Sequence, residues 1–169
     1  MARILIVCTA NICRSPVAEA LLRRSLQEQE LEAWEVNSAG TWAYTGQSAA
    51  RLSQVVAAER GLEISSHQSR PVSESLLAAS DLVLCMESGH KEALRTEFPE
   101  HAERIYLLSE MAGASYSVND PYGGPRPAYE RMANEIGGLI ERGLSQIIQL
   151  AKENAKRRAA QGGQTDETD

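Results

Sequence analysis

Apolar residues along this chain follow two rhythms. Short unbroken runs, such as Ile4-Leu5-Ile6-Val7 and Leu82-Val83-Leu84, alternate with longer stretches in which apolar positions recur every three or four residues. The unbroken runs predict strands covered on both faces. The longer stretches predict amphipathic helices. Strands are expected at residues 4–7, 34–38, 81–86 and 104–108, and helices at 16–30, 48–60, 73–80, 87–98 and 127–152. Gly61 suits the left-handed end of the second helix, and Pro99 stops the fourth. Residues 109–127 form a long Gly-, Pro- and Ser-rich segment, of the kind that is usually functional or disordered. Residues 1–152 read as one domain and 153–169 as a flexible or helix-extending C-terminal tail. Strands alternating with helices predict an α/β fold. The expected form is a three-layer sandwich, a four-stranded parallel sheet with helices on both faces and right-handed crossovers.

Composition narrows the class. The chain has 169 residues, enough to bury a core in one domain. A net charge of −6 argues against nucleic acid or an anionic membrane as the main partner. The apolar runs are too short to span a bilayer or act as a signal peptide. Three cysteines suit reduced thiols in a cytoplasmic protein better than a disulfide scaffold. No Cys/His spacing suggests a zinc site, so neither metal nor cofactor is expected.

The candidate chemistry lies just after the first strand, in Cys8-Thr9-Ala10-Asn11-Ile12-Cys13-Arg14-Ser15-Pro16. Pro16 fits the first turn of a helix, with Ser15 before it as the cap. The loop thus joins a strand C-terminus to a helix N-terminus, where free N–H groups and the helix dipole favour an anion. A thiol at Cys8 would sit among those dipoles and beside Arg14, and both favour the thiolate. The Arg14 fork suits two oxygens of a phosphate-like group while the sulfur attacks the central atom. Cys-x5-Arg spacing alone is common by chance; the strand, polar loop and helix start around it give it weight. A loop with its N–H groups turned inward needs a residue with positive φ, and Asn11 tolerates that best among non-glycine residues.

A second group must protonate the leaving oxygen and later activate water. Of the four aspartates, Asp81 opens a strand at the wrong end of the sheet, and Asp166 and Asp169 lie in the tail. Asp120 follows the fourth strand at the correct end and precedes Pro121, although Asn-Asp-Pro is also a turn signal. The glutamates stay open on this ground, and the best placed of them lie on helix faces. Ser38 either ends a turn or reaches the Cys8 loop. Trp42 and Tyr44 either wall a substrate pocket or pack on a helix. Cys13 packs under the loop or, after peroxide, crosslinks to Cys8. Cys85 reads as a core thiol.

The segment VCTANICRSP resembles the signature loop of the low-molecular-weight protein tyrosine phosphatases, a family that includes protein arginine phosphatases. The resemblance runs from Arg3 to about Lys152. It implies strand order 2-1-3-4 and a phosphocysteine mechanism, with Cys8 as nucleophile, Arg14 on the phosphate and Asp120 of Asp120-Pro121-Tyr122 as general acid. It also implies a serine and a histidine that hold the loop asparagine, here Ser38 and His67. Trp42, Tyr44 and Tyr122 become pocket walls, and Ser15 a donor to the sulfur. Family loops usually carry Gly where this chain has Ala10, which fits only if φ there is negative.

The expected partner is a phosphorylated protein, with phosphate, sulfate or vanadate as anion ligands, and a monomer is expected. Within the family, tyrosine phosphatases carry Ile at the position of Ile12 and arginine phosphatases carry Thr, so Ile12 points to phosphotyrosine. The DPYGGP and SAGTWAY segments look more like the arginine branch. Two rivals lie outside this chemistry. Arsenate reduction needs a relay of further cysteines in one mobile segment, and Cys85 stands alone in a strand. A non-catalytic phosphate-binding module would have lost Cys8, Arg14 or Asp120, and all three are present.

Overall fold

In the computed structural model, which describes residues 1–162, the chain forms four strands: β1 (Arg3–Cys8), β2 (Glu35–Gly40), β3 (Leu82–Cys85) and β4 (Ile105–Leu107). They build one parallel sheet in the order β2-β1-β3-β4. The parallel pairing is the one expected from the alternation of strands and helices, and the order is the one the resemblance implies. Six helices surround the sheet: α1 (Arg14–Glu28), α2 (Arg51–Glu59), α3 (Glu74–Ala79), α4 (Ser88–Glu97), α5 (Leu108–Met111) and α6 (Arg126–Gly162). Pro99 does stop α4, and opens a 3-10 turn at Pro99–Arg104 that leads into β4.

The unbroken apolar runs are buried on both sides, as their composition requires. Ile4, Ile6, Leu82 and Leu84 face a core built with α1, α2, α5 and α6. Leu5, Val7, Val83 and Cys85 face a second core that includes Leu77 of α3 and Leu94 of α4. Register then aligns the strand ends: Cys8 pairs with Gly40, Val7 with Cys85, and Cys85 with Leu107. Every segment that leaves the sheet at this edge opens onto the same surface.

Helix α2 starts three residues later than expected and α6 runs on to Gly162. Three further differences bear on the site. Helix α1 starts at Arg14, so Ser15 is not its cap; Cys13 holds that position without a side-chain capping bond. The Ser15 hydroxyl is taken by Asn11 and Cys8 instead. Strand β2 runs on to Gly40, because Ala39 and Gly40 continue the ladder with Val7 and Cys8. The long segment after β4 is not structureless: it opens with α5, whose Ser109 hydroxyl donates to Tyr116 O (2.8 Å) and accepts from Tyr116 N (3.0 Å). Buried Val118 then bonds Met86 O at 2.8 Å and brings Asp120 to the ligand edge.

At the opposite edge, Asp81 is fully buried. Its carboxylate takes two bonds from Arg158, at 2.7 and 3.1 Å, and one from Arg3 N at 2.8 Å. Asn154 donates to Asp81 O at 2.9 Å. Residues 153–162 are therefore helical and tied to the sheet; residues 163–169 of the expected tail lie outside the described residues. No helix among the described residues is long and apolar enough to cross a membrane. Arg158→Ala leaves a buried carboxylate with one N–H partner, so it should destabilise the fold by about 3 kcal/mol. Urea unfolding checks this, and an unchanged midpoint would mean that the α6 extension does not anchor the sheet.

Candidate active site

Cys8 ends β1, and residues 9–13 curl into a loop whose carbonyl groups point outward. Thr41 N donates to Cys8 O and Trp42 N to Thr9 O, both at 2.9 Å. Ala50 N donates to Ile12 O at 2.8 Å, and Ser53 Oγ to Cys13 O at 3.1 Å. His67 Nε2 donates to Asn11 O at 2.7 Å. The N–H groups of residues 9–13 have no acceptor among the described residues. A ring of N–H groups without a protein acceptor favours something negative within it. Asn11 makes the reversal with φ 58°, while Ala10 is absent from the positive-φ residues, so its methyl group is accommodated. Gly40 lies directly under the loop. A Cβ there would come within 2.3 Å of Thr9 O and 3.0 Å of Asn11 N, so only glycine lets β2 pass this close.

Asn11 is fully buried and uses its whole amide. Its Oδ1 accepts from Arg70 N at 3.0 Å. Its Nδ2 donates to Ser15 Oγ at 2.7 Å and Ser38 Oγ at 2.9 Å. Ser38, having accepted one proton, donates its own to Glu19 Oε2 at 2.6 Å. Ser15 likewise has its proton free for Cys8 Sγ, 3.0 Å away. The polarity of the chain is thereby set, and it ends in a donor aimed at the sulfur. Ser38 and His67 both meet Asn11, as the resemblance implied. Glu19 and Arg70 join them without a signal in the sequence that marked either.

Arg14 is 1% exposed, the largest fully buried side chain among the described residues. Its Nη1 donates to Val118 O at 2.8 Å and lies 3.4 Å from Glu87 Oε1. Its Nη2 lies 3.5 Å from Asp120 Oδ2 and 3.3 Å from Thr9 Oγ1. Nε has no partner among the described residues. Asp120 is half-exposed and turns back on Tyr122 N at 3.1 Å. Glu87 was missed in the sequence, although it leaves β3 at the same edge by the rule that singled out Asp120. His90 was missed too; its ring contacts Glu87 Oε2 and Thr9 Oγ1, each at 2.9 Å.

A cavity of about 300 Å³ opens over the loop. Cys8, Thr9, Ala10, Ile12, Cys13 and Arg14 line its floor. Trp42, Tyr44, Gln47, Asp120 and Tyr122 form the walls, and the three aromatic residues are 69–75% exposed. Glu87 does not line it, which separates the two carboxylates beside Arg14. All three cysteines are free thiols. Burial, with smaller contributions from Asp120 and Cys8, pushes the Cys13 thiol up to about 11; it lies 3.8 Å from the Tyr129 hydroxyl. Burial also pushes the Cys85 thiol up, in keeping with a core position.

The family model for low molecular weight phosphotyrosine protein phosphatases matches residues 3–158. A protein-arginine-phosphatase from Geobacillus stearothermophilus is 37% identical over 141 residues, covering 83% of this chain and 92% of its own. The crystal structure of a low molecular weight protein tyrosine phosphatase from T. tengcongensis superposes with a TM-score of 0.82 at 37% identity. It covers 86% of this chain and 99% of its own. The tyrosine phosphatase Wzb from Escherichia coli K30, solved with sulphate, superposes with a TM-score of 0.78 at 30% identity, over 86% of this chain and 97% of its own.

Proposed function

This chain belongs to the low molecular weight phosphotyrosine protein phosphatase family and is a phosphoric monoester hydrolase, and from that premise we propose that it removes phosphate from tyrosine side chains of proteins through a phosphocysteine on Cys8. The observation that carries the reading is the set of unpaired donors facing one ligand: the N–H groups of residues 9–13 and Arg14 Nε, beside a thiol. The sulphate in the Escherichia coli K30 relative supports an oxyanion as that ligand.

In this reading Cys8 Sγ attacks phosphorus as a thiolate, steadied by the Ser15 hydroxyl. The loop N–H groups and Arg14 take the three equatorial oxygens, whose charge they match best at the trigonal-bipyramidal transition state. Asp120, in the cavity wall, gives its proton to the leaving phenolate oxygen. The resulting carboxylate takes a proton from water, which attacks phosphorus and releases the Cys8 thiolate. The thiolate supplies the nucleophile and Arg14 the positive charge, so the chemistry needs no metal or cofactor. Nucleophile, cradle and acid all come from one chain, which supports action as a monomer. A nucleophilic thiol must stay reduced, which suits a cytoplasmic setting.

The choice of substrate rests on Ile12 and the aromatic walls. Ile12 lines the cavity floor and offers apolar surface to a flat phenol ring, between Trp42, Tyr44 and Tyr122. A phosphoguanidinium would need hydrogen-bond acceptors just beyond phosphorus. Ile12 provides none, and burial of an unpaired N–H costs about 1–3 kcal/mol. The arginine phosphatase at 37% identity supports a second reading, phosphoarginine, although a tyrosine phosphatase matches at the same identity.

Two substitutions test the proposal. Asp120→Asn should lower kcat roughly 10²–10⁴-fold on an aryl phosphate with a poor leaving group, with phosphate affinity retained. A wild-type kcat would remove Asp120 as the acid. Wild type should also show a higher kcat/KM on phosphotyrosine than on phosphoarginine peptides, and Ile12→Thr should narrow or reverse that ratio. A preference of the wild type for phosphoarginine would move the chain to the arginine branch.

A further inference from the structure

His90 is buried on the first turn of α4, against the outer side of the phosphate loop. Its Nδ1 accepts from Glu87 N at 3.2 Å, so the ring proton is on Nε2. That proton is shared between Glu87 Oε2 and Thr9 Oγ1, each 2.9 Å away. Glu87 and Thr9 are also acceptors beside Arg14: Nη1 is 3.4 Å from Glu87 Oε1, and Nη2 is 3.5 Å from Glu87 Oε2 and 3.3 Å from Thr9 Oγ1. The four side chains close a ring, Arg14–Glu87–His90–Thr9. One edge of the guanidinium is fixed by it, Val118 O holds Nη1, and Nε is left without a partner.

We propose that His90 is a positioning residue for phosphoryl transfer: its neutral ring ties Glu87 to Thr9 and so sets the plane in which Arg14 meets the equatorial oxygens. The inference rests on the phosphatase reading of the site. Glu87 meets both Nη atoms of Arg14, but at 3.4 and 3.5 Å, longer than tight bidentate bonds, so its carboxylate must itself be held for the fork to set the plane of Arg14. Thr9 Oγ1 adds a further point, and His90 keeps both acceptors in place. The ring must be neutral to do this. A proton on Nδ1 would face the Glu87 N–H and break that bond at the start of α4. Burial is the main factor that keeps His90 neutral, holding it below its ordinary value, and Arg14 acts in the same direction against the carboxylates of Glu87 and Asp120.

Planar alignment of Arg14 matters more at the trigonal-bipyramidal transition state than in the ground-state complex. Loss of the ring should therefore appear in kcat and not in KM. We expect His90→Ala to lower kcat on p-nitrophenyl phosphate about tenfold, with KM within about twofold. His90→Gln should restore most of kcat, because its amide oxygen accepts the Glu87 N–H and its amide nitrogen donates to Glu87 and Thr9. Thr9→Val breaks the ring without touching α4 and should also lower kcat several-fold at constant KM, which keeps the test open if His90→Ala does not fold. A folded His90→Ala with wild-type kcat, or Thr9→Val with no kcat loss, would overturn the inference and leave His90 as a helix cap. Wild type inactive on p-nitrophenyl phosphate would instead overturn the phosphatase reading, which separates the two failures.

Discussion

One backbone reversal organises the active edge of this protein. Asn11 sits at φ 58°, in a region that L residues avoid at about 1–2 kcal/mol, and it is fully buried. The conformation persists because every polar atom of its amide side chain is used, by Arg70 N, Ser15 and Ser38, while His67 holds its carbonyl. With that one residue reversed, the loop carbonyls bond to the surrounding frame and the N–H groups of residues 9–13 are left without an acceptor among the described residues. Gly40 under the loop, Ser53 behind it and Glu19 at the end of the hydrogen-bond chain all act by making this single turn tenable.

The carboxylates near Arg14 show how one edge divides its labour. Glu87 and Asp120 lie at nearly the same distance from the guanidinium, 3.4 and 3.5 Å. Glu87 is held by His90 and lies outside the cavity, whereas Asp120 lines it. A fixed carboxylate can orient a cation; one facing the substrate space can exchange a proton with it. Both come from segments that leave adjacent strands at the same edge, which parallel pairing of β3 and β4 guarantees. The geometry places the Arg14 charge, the Cys8 thiol and the aromatic side chains around one cavity within one chain, with Ile12 in its lining.

Much of this was legible in the sequence because the strands are unbroken apolar runs and the loop has a distinct composition. Ile4 to Val7 fixed β1, and with it the position of Cys8. Asp120 stands out by its place after β4 at the ligand edge together with the resemblance of Asp120-Pro121-Tyr122 to the family motif. What escaped was set by tertiary contacts. Ser15 looked like a helix cap, but Asn11 and Cys8 compete for its hydroxyl and the helix begins earlier. His90 reads as an ordinary residue of an amphipathic helix; only the packing of α4 against the loop brings it to Thr9. Asp81 was read as facing away from the site, while its buried pairing with Arg158 depends on α6 continuing past residue 152.

Asn11 holds the loop in this form before a ligand arrives. The direct measurement is the affinity of inorganic phosphate for the wild type and for Asn11→Ala, by isothermal titration, with thermal unfolding to show that both are folded. Alanine tolerates the reversed conformation poorly and lacks the amide. A cradle that must be re-formed at about 1–2 kcal/mol should bind phosphate roughly tenfold more weakly or worse. A folded Asn11→Ala protein that binds phosphate as tightly as the wild type would contradict the account.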